Sequence, residues 1–488
     1  MRPKVVLYNP RAVFYTMPLA LVAVGSALDR RRFDVEVIDG RLEANPVARV
    51  VEACGNALCL GITVLTGSPI RDALHLARAV KADRPRLPII WGGWHPSLFP
   101  TECLGDAAVD ITVVGQGERT FCDIVGRLAD DQAVRLQPDS PTDRLKPLTT
   151  TVLDGCAGCA TRRDGSPVLH PPRALEDINT FPTHDYSLIP VERYFALKRR
   201  RQLDYISSQG CRFRCAFCAD PNVYGRGWVG LDPRRVGDEL DHLWRRYGFE
   251  EVSFQDETFF TQAARVEAIC DELLSRRLPV RWTATMRADQ GFRLDESLFE
   301  KARRAGLTRV MIGVESGSQP LLDWMKKDMK IDHVLAAAER CARHDIGIIF
   351  NFIVGFPDEP DASVDDTLAL VKRLRAMRAD FDTQIFYFRP YPGTGLAEYA
   401  RARGYEFPDS LDAWADFDYV GRRGPWVSED KWRLVERFKF YSRHAWNDAS
   451  VMRWPLRAAA RWRCRRDLYG LPIEKHLVEW LRPPEPVS

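Results

Sequence analysis

From Lys4 to about Arg127, short apolar runs alternate with amphipathic stretches of helical period. The runs are Val5-Val-Leu-Tyr8, Val35-Glu-Val-Ile38, Leu58-Cys-Leu-Gly-Ile-Thr-Val64, Pro88-Ile-Ile-Trp91 and Ile111-Thr-Val-Val114. Each has strand length, and regular alternation of strand with helix predicts a parallel sheet with helices packed against it. Residues 1–127 are therefore expected to form a Rossmann-like, flavodoxin-like α/β domain. Such sheets take ligands outside the carboxyl ends of their strands, where the strand order reverses. The loops at those ends carry Asn9-Pro10, Thr66-Gly67-Ser68, Gly92-Gly93-Trp94-His95-Pro96 and Gly115-Gln-Gly117-Glu118.

Between residues 128 and 200 the pattern dissolves into Pro, Asp, Thr and Arg, which reads as a connector. Inside it, Thr151 to His170 predicts a hairpin turning at Asp164-Gly165. From 201 to 395 the alternation returns, with strand candidates at Asp204–Ser207, Glu251–Phe254, Val280–Met286, Arg309–Val314, Ile346–Val354 and Thr383–Arg389. Six β/α units predict a partial (β/α)6 barrel of TIM type, with chemistry at the carboxyl ends of its strands. Residues 396–488 are aromatic-rich and helical in pattern, with Trp414, Trp426, Trp432, Trp446 and Trp454. They read as a helical domain with its own core, or as a cover over a large apolar molecule.

A length of 488 residues allows about two to four domains. Hydrophobic residues at 45% and charged ones at 28% are the balance of a globular protein. A net charge of only +3 offers no whole-chain attraction for nucleic acid or anionic membrane. The most apolar early stretch, Pro18 to Leu28, is too short to span a bilayer and lacks the marks of a signal peptide, so a cytoplasmic protein without a membrane span is expected. Lys198-Arg-Arg-Arg201 and Arg461-Trp-Arg-Cys-Arg-Arg466 read as solvated helix faces, and with no RNA-binding module beside them no nucleic-acid partner is expected.

Twelve cysteines in a long chain of this kind point to metal or catalysis where they cluster. Cys54, Cys59, Cys103, Cys122, Cys270, Cys341 and Cys464 are scattered and read as small buried hydrophobes. Cys156 and Cys159 form a C-x2-C in the predicted hairpin; as two ligands they do not make a site, and hairpin decoration, a shared metal and a redox disulfide stay open. The sharpest signal is Tyr205-Ile-Ser-Ser-Gln-Gly-Cys211-Arg-Phe-Arg-Cys215-Ala-Phe-Cys218, a strand entering a loop with C-x3-C-x2-C spacing. A [4Fe-4S] cube is ordinarily held by four thiolates, so three leave one iron open. Structural zinc would need a distant Cys or His as its fourth ligand.

That loop resembles the cluster motif of the radical S-adenosylmethionine (SAM) superfamily. The resemblance implies a [4Fe-4S] cluster on Cys211, Cys215 and Cys218, with SAM on the open iron and a 5'-deoxyadenosyl radical as the product of its reductive cleavage. It further implies SAM contacts at Phe217 before the third cysteine, at Gln255, Asp256 and Glu257 after the second barrel strand, at Arg287 after the third, at Glu315 and Ser316 after the fourth, and at Gly355 after the fifth. Arg287 and Glu315 are expected to keep their charges for SAM, because an unpaired buried charge is costly until something satisfies it.

A doubly wound domain ahead of such a barrel resembles the cobalamin-binding branch of that superfamily, over roughly Lys4 to Thr394. The corrin contacts this implies are Asn9, Pro10, Thr66, Gly67, Ser68, Gly92, Gly93, Trp94, Gly115, Gly117 and Glu118. One departure matters. Cobalamin mutases carry Asp-x-His-x-x-Gly after their first strand, and here the loop reads Asn9-Pro-Arg-Ala-Val-Phe-Tyr15. A cobalt without a histidine ligand from that loop is expected, and His95 reads as structural. The implied activity resembles that of the cobalamin-dependent radical SAM methylases: one SAM methylates cobalamin, a second yields the radical, and a small-molecule substrate takes the methyl group. A flavodoxin- or ferredoxin-like reductant is the implied partner. The anaerobic magnesium-protoporphyrin monomethyl ester cyclase branch, with radical ring closure, is the alternative enzyme reading. A non-catalytic Fe-S or zinc protein for redox sensing or RNA binding is the alternative of another class.

Overall fold

All five early apolar runs form strands: β1 (Lys4–Asn9), β2 (Asp34–Asp39), β3 (Ala57–Thr63), β4 (Ile89–Gly92) and β5 (Ile111–Val113). The structure, a computed structural model, describes residues 2–12, 15–135, 150–417, 423–446 and 454–481. Val13 and Phe14 of the loop after β1, and 136–149 of the expected connector, lie outside the described residues. Contacts divide the chain into two units. One comprises Met1–Arg214, Cys218–Glu257 and Tyr391–Asp418; the other comprises Cys215–Phe217, Thr258–Pro390 and Tyr419–Ser488.

In the first unit β1 to β5 run parallel in the order β2-β1-β3-β4-β5. Val5, Val6, Leu7 and Tyr8 of β1 have no exposure, as a strand covered on both faces requires. Alternate side chains feed separate cores. Val6 and Tyr8 join Ile70, Ala73 and Leu74 of the Ser68–Asp83 helix, while Val5 and Leu7 join Leu21, Phe121 and Ile124.

The expected hairpin forms, but it belongs to this sheet. Strands β6 (Cys159–Arg163) and β7 (Ser166–Leu169) pair antiparallel, and β6 also pairs antiparallel with β5. Asp164 (φ 50°) and Gly165 (φ 82°) turn the chain, the two left-handed positions of a tight hairpin.

The six expected barrel strands also form, with shifted ends: β8 (Gln202–Tyr205), β11 (Glu251–Phe254), β12 (Arg281–Thr285), β13 (Leu307–Glu315), β14 (Gly347–Val354) and β15 (Asp382–Tyr387). β8 pairs parallel with β11 in the first unit, and β12 to β15 pair parallel in chain order in the second. The first of them ends at Tyr205 rather than Ser207. Beyond it lies a ribbon the pattern did not predict, β9 (Ser208–Gly210) antiparallel to β10 (Trp228–Gly230). At three residues each, these strands are too short to show a period.

Asp204 of β8 accepts from the Met17 amide at 2.7 Å and ion-pairs with buried Lys198, and Tyr186 donates to its carbonyl at 2.7 Å. These bonds tie the first barrel strand to the N-terminal domain within one unit.

The stretch expected as a single helical domain from 396 onward is divided. The Leu411–Trp414 helix packs on the Ser68–Asp83 helix, and Trp414, 3% exposed, shares a core with Trp91 and Leu104. Its ring lies 4.8 Å from Phe99 and 5.6 Å from His95. Periodicity had shown an apolar face without showing what covers it. The helices Glu429–Ala445, Trp454–Arg466 and Ile473–Leu481 belong to the second unit. No described helix is long and apolar enough to cross a membrane.

Trp414→Ala should destabilise the first unit by about 3–5 kcal/mol, the usual cost of deleting a buried aromatic. The check is the urea midpoint compared with Trp462→Ala, an exposed control. Equal midpoints would place Trp414 outside the core.

Candidate cofactor site

A cavity of about 360 Å³ opens in the first unit at the carboxyl ends of its strands. It sits where the order reverses between β1 and β3, lined by Leu7 and Asn9 from one and by Gly61, Ile62 and Thr63 from the other. Of the expected corrin contacts, Asn9, Pro10, Gly92, Gly93, Trp94, Gly115, Gly117 and Glu118 line it. The glycines act in two ways. A Cβ at Gly92 would meet nothing nearer than Val113 at 3.7 Å, and one at Gly117 nothing nearer than Val24 at 3.4 Å. Packing does not require either glycine, so their missing side chains leave room for a ligand. Gly93, at φ 98°, would press a Cβ to 3.0 Å from Thr63 and Val64, so the loop geometry itself demands it.

Thr66, Gly67 and Ser68 do not line the cavity. Thr66 Oγ1 lies 3.2 Å from His95 Nδ1, and a Cβ on Gly67 would come within 2.7 Å of the Phe417 carbonyl. Ser68 begins a helix. His95 has no exposure and no place in the cavity wall. Burial holds its imidazole down at about 3, so it is a neutral core residue at physiological pH.

The opposite wall comes from the chain around the cysteine loop, with Ile206, Gln209, Val223 and Tyr224, and from the turn after β11, with Gln255 and Glu257. Gln116 donates to Gln209 at 2.8 Å, and Gln209 donates to Glu118 at 2.8 Å. Burial raises the Glu118 carboxyl above its ordinary value. Burial first, and then the charge of Asp220, push Glu257 up to about 8 while it accepts from the Gly210 amide at 3.2 Å. Near neutral pH Glu257 therefore keeps its proton and meets the cavity as a donor as well as an acceptor. Asp256 faces away into the fold, taking bonds from Ser207 and Ser208 at 2.6–2.7 Å. Gln255 donates to Ser253 at 2.8 Å.

In the second unit, Cys215 lies 3.7 Å from an Arg287 guanidinium nitrogen, and the Ala216 amide donates to the Met325 carbonyl at 2.8 Å. Lys327 stands 5.7 Å over the Phe217 ring. Two cations beside a cysteine suit a thiolate ligand.

The expectation that Arg287 and Glu315 are unpartnered is corrected. Arg287 pairs with Asp289 at 2.9 Å and donates to the Lys327 carbonyl at 2.6 Å; Glu315 pairs with Lys327 at 2.6 Å, both nearly buried. Burial alone would lower Lys327, and the attraction of Glu315 and Cys215 more than offsets it, leaving it above its ordinary value. Glu315 sits at φ 68° on a register shift against β14. A Cβ on Gly313 would meet its carboxylate at 2.3 Å, so that glycine clears the space it occupies. Ser316 is spent on structure, with Thr367 at 3.2 Å and the Ser318 amide at 3.0 Å. Gly355, at φ 76°, accepts from Trp426 Nε1 at 2.6 Å.

Two family models match. The Radical SAM superfamily model covers residues 205–371, and the B12 binding domain model covers residues 6–125. The chain is a B12-binding domain fused to a radical SAM domain. An uncharacterized methyltransferase of Pyrococcus horikoshii is 28% identical over 87% of this chain and 88% of its own length. Cytidylyl-2-hydroxyethylphosphonate methyltransferase of Streptomyces wedmorensis is 25% identical over 72% of this chain and 73% of its own. Among solved structures, the radical SAM methyltransferase TsrM of Kitasatospora setae, with cobalamin and a [4Fe-4S] cluster bound, superposes with a TM-score of 0.65 at 18% identity, over 82% of this chain and 75% of that one.

Around this cavity, the sheet-end glycines were legible in the sequence, while Gln209 and Tyr224 were not, because no motif marks a glutamine or tyrosine that reaches a cavity from a distant loop. For the radical SAM domain, Lys327 was missed. It stands in Trp324-Met-Lys-Lys-Asp-Met-Lys330, which reads as an exposed charged turn, and only the tertiary fold buries it. Among the described residues, no three His, Cys, Asp or Glu side chains close around a single ion. A cubane differs in taking its thiolates on separate irons.

Two outcomes follow. Glu315→Gln leaves Lys327 buried without its counter-charge and should cost about 3–5 kcal/mol. Thermal unfolding reads this, and adding Lys327→Met should recover much of the loss. Unchanged melting of the single variant would show the ion pair to be dispensable. His95, depressed in the fold, binds fewer protons there than in the unfolded chain between about pH 3 and its ordinary 6.5, so its contribution is full above 6.5 and is lost as pH falls, at up to about 1.4 kcal/mol per unit. His95→Phe should flatten the stability profile of the first unit between pH 6.5 and 5. An unaltered slope would mean that His95 titrates normally.

Proposed function

We propose that this chain is a cobalamin-dependent radical SAM methyltransferase acting on an unactivated carbon of a small molecule. One observation carries the reading: a single cavity is bounded on one side by the sheet-end glycines of the B12-binding domain and on the other by residues flanking the cysteine loop. A corrin placed against those glycines would share its chamber with the chemistry at the loop. Three relatives matched over 73% or more of their own length are named methyltransferases, whereas three named as anaerobic magnesium-protoporphyrin monomethyl ester cyclases are matched over 66% or less of theirs, which supports transfer over ring closure.

In this reading Cys211, Cys215 and Cys218 hold the cluster. Phe217, Gln255, Glu257, Arg287, Glu315 and Gly355 surround SAM, while Asp256 and Ser316 brace the loops that present them. When bound, cluster and SAM supply a hydrogen-abstracting radical, and the corrin supplies the methyl group. The chain supplies position and dryness. Leu7, Leu21, Val24, Ile62 and Phe121 form an apolar wall that keeps water from a reactive carbon centre. In the second unit, the Lys327–Glu315 pair and the Arg287–Asp289 pair hold their side chains in place before any ligand arrives. No histidine lines the chamber, so cobalt is expected without a protein imidazole. A small iron-sulfur protein or flavoprotein is the proposed electron source.

Anaerobically reconstituted protein should yield 5'-deoxyadenosine and a substrate heavier by one methylene. Replacing Cys211, Cys215 and Cys218 together with Ala should abolish both while cobalamin still binds. The cob(II)alamin EPR spectrum should lack superhyperfine splitting from a protein nitrogen, in wild type and His95→Phe alike. SAM cleavage by the triple variant would overturn the cluster assignment. Substrate turnover without a mass gain would overturn methyl transfer.

A further inference from the structure

Most large apolar side chains that remain exposed lie in one place. Among the described residues twelve are exposed, and seven of these fall in the last two helices and their link: Trp454, Trp462, Leu468, Leu471, Ile473, Leu477 and Trp480. In the Ile473–Leu481 helix, Ile473, Leu477 and Trp480 recur at helical spacing on one stripe, 67%, 54% and 79% exposed. An amphipathic helix normally turns such a stripe toward the core; this one turns it outward. The Trp454–Arg466 helix buries Ala460, Arg463 and Cys464 and exposes Trp454, Trp462, Arg461 and Arg465. Arg463 ion-pairs with Glu474 at 2.8 Å and ties the two helices together.

Charge points to the occupant. Residues 454–481 hold five arginines and one lysine against three acids, a net +3 that equals the excess of the whole chain, so the remainder is neutral. The guanidinium groups are interleaved with tryptophans on the same face rather than ringing an apolar centre, as the core and rim of a protein interface would have it. Four of the seven apolar residues are aliphatic, which base stacking does not use.

We propose that this helical pair seats on the surface of an anionic lipid bilayer. Trp454, Trp462, Ile473, Leu477 and Trp480 enter the interfacial layer, and Arg461, Arg465 and Arg466 meet the lipid phosphates. Tryptophan favours that layer because its ring is apolar and its N–H is polar, and arginine pairs with phosphate in a fork. The segment lies on the surface without crossing it, and the inference does not depend on the reaction proposed above.

The test is co-sedimentation of the full-length protein with vesicles of phosphatidylcholine alone or mixed with phosphatidylglycerol. Binding is expected to the mixed vesicles, weakening as salt rises. Arg461→Gln and Arg465→Gln should each lower affinity about fivefold. Trp454→Ser, Trp462→Ser and Trp480→Ser combined should lower it at least about tenfold, with circular dichroism and iron content unchanged. Equal binding to both vesicle types, or none to either, would overturn the proposal. So would self-association, or binding of a generic single-stranded RNA, that the tryptophan variants abolish while vesicle binding persists.

Discussion

The reversal of strand order between β1 and β3 is the constraint on which the first unit depends. A parallel sheet has both faces covered and its backbone groups consumed by neighbouring strands, so a ligand can approach only at the carboxyl edge. Where the order turns back, that edge opens, and the cavity is found there. The glycines at Gly92 and Gly117 are consequences of this, because side chains at those positions would project into that opening. The same edge decides why the start of the barrel belongs with the N-terminal domain. Asp204 of β8 takes a bond from Met17 and an ion pair from Lys198, which places the strand that leads to Cys211 against the sheet that forms the chamber.

The two units handle buried charge differently. Around the cavity, burial raises the carboxyls of Glu118 and Glu257, and their bonds come from the neutral Gln209 amide and the Gly210 backbone amide. In the second unit, Arg287 is paired with Asp289 and Lys327 with Glu315, each within hydrogen-bonding distance. A paired buried charge costs little while its partner remains and much once the partner is lost.

How much of this was legible in the sequence depended on the range of the interaction involved. Strand position follows from local apolar runs, so all five N-terminal strands and all six barrel strands were readable, with ends misplaced by a residue or two. The C-x3-C-x2-C spacing is local, so a sequence alone is enough to single out Cys211, Cys215 and Cys218. Long-range facts were not readable. That Trp414 belongs to the N-terminal core depends on Phe99 and the Ser68–Asp83 helix, more than 300 residues away in sequence. That Lys327 neutralises Glu315 depends on burying a segment whose composition is that of a surface turn. Arg287 and Glu315 were correctly placed at strand ends and wrongly expected to be unpartnered, because a sequence shows where a charge falls and not what faces it.

A non-glycine residue at positive φ costs about 1–3 kcal/mol and persists only where its surroundings over-determine it. At Glu315 the register shift against β14 displaces the strand end, Gly313 clears the space beside the carboxylate, and Lys327 ion-pairs with it. Remove any one and the left-handed backbone loses part of what sustains it. The strained turn is therefore stabilised by electrostatics rather than by apolar packing. A carboxylate held this way is already oriented when a ligand arrives, and orienting it requires no further rearrangement of the strand.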